Sequence, residues 1–79
     1  ALELLNGKTA NQLAKALSER LEREAGSNSF ARIERAYWLT TGRPPTPAEA
    51  ELAADFLKEQ SLKEFALAMF NLNAFLYVN

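Results

Sequence analysis

At 79 residues, 48% of them apolar, the chain is one small globular domain or part of one, with a core that alone supplies about 3–5 kcal/mol. It has no cysteine and no histidine, which excludes disulfide staples, the commonest metal ligand and the commonest general base. A formal net charge of −1 argues against wholesale attraction to nucleic acid or an anionic membrane, and no run approaches the ~20 apolar residues of a membrane span.

Ala1–Leu5 are apolar helix formers that Asn6-Gly7 should stop, because both residues tolerate a left-handed cap. Thr9-Ala10-Asn11-Gln12 reads as a capping box. From there Leu13, Leu17 and Leu21 recur every four residues beside Ala10 and Ala14, the stripe of an amphipathic helix. Glu19 and Arg23 add a favourable i, i+4 pair. Gly26 should end this helix, and Ser27-Asn28-Ser29 supplies a polar turn that can cap the next.

Phe30, Ile33, Tyr37 and Thr40 or Thr41 share one face of a second helix, with Ala36 between them. Trp38 and Leu39 widen its apolar surface, which predicts a central helix with neighbours on more than one side. Gly42 closes it, and Arg43-Pro44-Pro45 cannot continue it. Thr46-Pro47-Ala48-Glu49 then combines a threonine cap, a proline at the first helical position and a glutamate three residues after the cap. The third helix should face Leu52, Ala53, Phe56 and Leu57 inward. Ser61-Leu62-Lys63-Glu64 is another capping box and starts a fourth helix, in which Phe65, Met69 and Leu72 lie at i, i+4 and i+7. That helix either runs to the end or pauses at Asn73 and resumes as one turn. Asn71 and Asn73 sit in an apolar stretch, where buried amides would tie the helix end to a loop.

No strand pattern, repeat or low-complexity segment interrupts these signals. The expected architecture is all-α: a small antiparallel bundle of four helices, about 10–25, 29–41, 47–60 and 62–73, with short helical turns at both ends.

Chemistry finds little to work with. Ser18, Ser27, Ser29 and Ser61 lack a histidine to activate them and read as cap or surface residues. Glu49, Glu51 and Asp55 fall on the polar side of the third helix, where two carboxylates at i, i+4 are a weak metal signal. No catalytic residue, metal ligand or cofactor is expected. A helix-turn-helix would place residues 47–60 in a groove of DNA, but these carry four acidic residues and one lysine, the wrong sign. Residues 1–43 carry seven Lys/Arg and five Glu, and residues 44–79 two Lys and five Asp/Glu, so the halves should complement each other. Trp38, Arg43, Phe70, Phe75 and Tyr77 form the candidate interaction surface, since aromatics and arginine anchor interfaces. The competing expectation puts Tyr37 and Trp38 in the core and Arg43 in a salt bridge with Glu49.

Three segments carry a resemblance. They are Ala1-Leu2-Glu3-Leu4-Leu5-Asn6, then Ala31-Arg32-Ile33-Glu34-Arg35-Ala36-Tyr37 leading into Gly42-Arg43-Pro44-Pro45-Thr46-Pro47-Ala48-Glu49, and the closing Asn71-Leu72-Asn73-Ala74-Phe75-Leu76-Tyr77-Val78-Asn79. In that order they resemble the C-terminal region of a large family of planctomycete proteins of unknown function that often carry an N-terminal cytochrome-c-like domain. The Gly42–Thr46 turn alone also looks like that of phycobilisome-linker-like repeats; the closing segment makes the resemblance more specific. Ala74 stands where the family usually has an acid and Asn79 where it usually has Asp, and the stretch between the third and fourth helices is shorter than usual.

The resemblance implies an exported multidomain protein of which this chain is the C-terminal helical module, in keeping with a start at Ala1 rather than Met. It implies no reaction, and without Cys-x-x-Cys-His no haem is carried over. The expected role is a non-catalytic module that packs against other domains of the parent chain or a protein partner, a second copy included. The competing role is an accessory domain that lends a wall or lid to an active site elsewhere. A polar cleft converging on Arg43, Asn71 and Asn73 would mark the latter.

Overall fold

In the computed structural model, residues 7–76 are described, with side chains over residues 7–72. Four helices follow in chain order: α1 (Gly7–Ala25), α2 (Ser29–Thr41), α3 (Pro47–Glu59) and α4 (Leu62–Leu76). The fold is a small all-α bundle, with no strand among the described residues. The expected opening turn, residues 1–5, lies outside them.

The boundaries follow the local signals where the cap chemistry is strongest. Asn28 caps α2, its side-chain oxygen accepting from the Ala31 N–H at 3.0 Å. Gly42 ends α2 with φ +74°, a left-handed conformation that glycine reaches without a Cβ clash, and its N–H donates to the Trp38 carbonyl. Thr46 and Glu49 form the expected capping box at α3, in both directions. Ser61 accepts from the Glu64 N–H at 3.1 Å and starts α4.

Two ends differ from expectation. α1 begins at Gly7, so Thr9 lies inside its first turn rather than capping it. Gly7, expected to stop the preceding segment, is itself helical; its carbonyl accepts from the Asn11 side chain, and Ala10 one turn in is buried in the core. α4 runs through Asn73 to Leu76, because nothing in this stretch breaks the backbone hydrogen-bond pattern. Of the two alternatives left open at Asn73, the structure has the uninterrupted helix, through Leu76.

α2 is central as expected: it contacts α1, α3 and α4. α4 also touches every other helix and packs most extensively on α1, whereas α1 and α3 do not meet. The core draws Leu17 and Leu21 from α1, Ile33 and Tyr37 from α2, and Leu62, Phe65 and Met69 from α4. Ala14, Ala36 and Ala66 have no exposed surface, and their small side chains let the backbones come close.

This close packing moves some residues off the expected face. On α1 the buried stripe is Ala10, Ala14, Leu17, Ser18 and Leu21, so Leu13 is turned to the rim. Ser18 is therefore neither cap nor surface; it is buried, and its hydroxyl donates to the Lys15 carbonyl at 2.9 Å. Phe30 points into solvent at 73% exposure, because the exposed turn beside the start of α2 offers nothing to cover it. On α3 only Ala53 is buried, with Phe56 and Leu57 half-buried. Leu52 is 72% exposed, since α3 touches only α2 and α4 and no third helix covers its outer side. Leu72 on α4 is half-exposed as well. Asn71 is exposed and does not serve as a buried tie, while the Asn73 side chain lies outside the described residues.

Candidate functional site

An apolar open groove of about 280 Å³ lies between α3 and α4, floored by Tyr37 of α2. Helical spacing builds it. α3 contributes Glu49, Leu52, Ala53 and Phe56 at i, i+3, i+4 and i+7, and α4 contributes Phe65, Ala68, Met69 and Leu72 at the same spacing. The Phe56 and Phe65 rings meet with centroids 6.3 Å apart and planes tilted by 52°, joining the two helices. Leu52 and Leu72 form exposed lips on either side.

One end of the groove is polar and internally satisfied. Arg43 donates from Nη1 to Glu49 Oε1 at 2.8 Å and from Nη2 to Oε2 at 2.9 Å, a two-pronged pair. Glu49 Oε1 also accepts from the Thr46 N–H at 2.8 Å. The Arg43 hydrogen bonds come first, and the Thr46 amide second, in pulling the Glu49 carboxyl down to about 2. The Arg43 guanidinium carbon lies 6.0 Å from the Tyr37 ring centroid. Burial, reinforced by the Glu49 charge and opposed by Arg43, holds the Tyr37 hydroxyl above its ordinary range.

Of the residues singled out from sequence, the described Trp38, Arg43 and Phe70 lie at three separate places. Arg43 is folded onto Glu49, the salt bridge of the competing expectation, with its other Nη1 contact on the Pro44 carbonyl. Tyr37 is core, but Trp38 is not: it is 48% exposed and lines a shallow polar hollow with Ala25, Ala31 and Glu34. Glu24 and Arg35 line the same hollow, and Glu24 receives Arg20 and Arg35, each at 2.6 Å, which ties α1 to α2 and lowers the Glu24 carboxyl. Phe70 is half-buried and lines a separate depression with Leu13, Leu17 and Leu39. The Phe75 side chain and Tyr77 lie outside the described residues. Sequence reasoning missed Leu52 and Leu72 as surface residues. The available signal was that α3 carries apolar residues around more than one face, more than two helix contacts can cover.

Glu51 and Asp55 are exposed, and no three His, Cys, Asp or Glu side chains among the described residues gather to hold a metal ion. None of the described helices is long and apolar enough to cross a membrane.

No curated protein and no solved structure matches the chain. Residues 1–57 match the family described as PSD1, protein of unknown function (DUF1553). The matched span holds α1, α2 and most of α3, including the Gly42–Glu49 turn with its ion pair and capping box. It covers well over half of the sequence, and the chain belongs to this PSD1 family of unknown function.

Proposed function

We propose that the chain is a non-catalytic helical module that docks through the α3–α4 groove onto another domain of a longer protein. The observation that carries this reading is the pair of exposed leucines, Leu52 at 72% and Leu72 at 46%, framing an apolar furrow. Apolar surface gathered in a groove loses about 25 cal/mol per Å² of potential burial while it stays in water, so a covering partner gains it. A bundle this small has little stability of its own to spare, which favours contacts beyond itself. The resemblance of residues 71–79 to the closing segment of exported planctomycete proteins is the basis for reading the module as part of a longer chain. The exposed carboxylates Glu51, Asp55 and Glu59 on α3 speak against a nucleic-acid partner.

The test is Leu52→Asp together with Leu72→Asp in the longer parent protein. The module should keep its helical circular dichroism while limited proteolysis releases it faster from its neighbours. Unchanged release with both substitutions in place would count against docking through this groove.

A further inference from the structure

We propose that the occupant of the α3–α4 groove is an amphipathic helix of another domain of the parent chain, with lysine or arginine flanking its apolar anchors. The inference rests on the docking reading and adds the chemistry of what docks. At 100° per residue, Asp55 and Glu59 lie beside Leu52 on the side of α3 that faces away from the core, and Glu51 precedes them. On α4, Glu64 lies one turn before the groove residue Ala68. All four carboxylates are exposed. Among the described residues, Lys58 pairs with Asp55 at 3.4 Å. Lys63 falls on the opposite side of α4 from Phe65, two residues away. At the end of the groove, Arg43 already satisfies Glu49. The apolar furrow is therefore bordered by Glu59 on α3 and Glu64 on α4, with the Asp55–Lys58 pair beside Glu59, and this excess of carboxylate attracts a cationic partner and repels an acidic one. Ala53 and Ala68 keep the furrow shallow-walled enough for a helix to lay anchors between the two leucines, the usual helix-in-groove arrangement.

The test uses two designed peptides with the same leucine anchors at i, i+3, i+4 and i+7, one flanked by lysines and one by glutamates, titrated into the chain and followed by its amide NMR shifts. The lysine peptide should shift amides of 50–56 and 65–72 and bind about threefold or more tighter than the glutamate peptide. That preference should shrink at high salt, since screening acts over about 8 Å at physiological ionic strength. The double variant Asp55→Lys and Glu59→Lys, both on the surface, should reverse the preference. Equal binding of the two peptides overturns the charge inference and leaves groove docking standing. Binding of neither overturns the helix inference, and groove docking is then judged by the proteolysis test above. Concentration-dependent shifts of the same amides without peptide overturn it in favour of a second copy of this chain.

Discussion

Arg43 and Glu49 face each other across the α2–α3 turn in a fork of two hydrogen bonds, 2.8 and 2.9 Å long. The same glutamate closes the capping box by accepting from Thr46 N–H, while Thr46 Oγ1 accepts from Glu49 N–H at 3.2 Å. One carboxylate thus fixes both the turn and the start of α3. Glu49→Ala should cost about 1 kcal/mol by urea unfolding, from the lost Thr46 N–H contact and the lost Arg43 fork together, since the Thr46 hydroxyl still caps the backbone N–H at position 49. Arg43→Lys keeps the charge but not the fork, and should cost less, about 0.5 kcal/mol. A Glu49→Ala loss no larger than that of Arg43→Lys would show that the Glu49 contact with the Thr46 N–H contributes little.

Acid should act on this turn in a defined window. The Glu49 carboxyl is lowered from 4.5 to about 2. A depressed folded value means the ionised form is stabilising, so its contribution is complete above 4.5 and is lost as pH falls to about 2. Glu24, also lowered by its arginines, acts in the same direction. Stability measured from pH 5 to pH 2 should decline in the native chain and decline less steeply in Glu49→Gln. Equal slopes would contradict the assignment of the pair.

Core and lip residues should separate cleanly. Leu21 has no exposed surface, so Leu21→Ala should cost about 2–5 kcal/mol and leave so small a bundle largely unfolded. Leu52→Ala and Phe30→Ala, at exposed positions, should each stay within about 0.5 kcal/mol. Thermal melts of the three variants give the comparison, and a large loss at Leu52 would put that side chain in the core.

Gly42 sits at φ +74° with nothing near its would-be Cβ, so a substitution there pays for backbone conformation and not for crowding. Gly42→Ala should lower stability by about 1 kcal/mol. A neutral result would mean the turn can close without a left-handed residue.

The helix starts at 29, 47 and 62 were legible because caps are local chemistry: a side-chain oxygen and an amide three residues on. The faces were only partly legible, because a stripe's centre is set by the partner helix. α1 packs through Ala10 and Ala14, which turned Leu13 to the rim and drew Ser18 inward. The groove was not legible at all. Leu52 and Leu72 each continue an apolar stripe, and only the arrangement of α2, α3 and α4 leaves them uncovered. Sequence reasoning instead chose Trp38 and Arg43 by residue type, and the second of these is held by Glu49.

Amide hydrogen exchange, compared between this chain alone and the longer parent protein, tests the docking role most directly. Amides of 50–56 and 65–72 should gain protection in the parent beyond any gain in α1. Equal protection of those amides in both settings, or a gain confined to α1, would contradict the docking role.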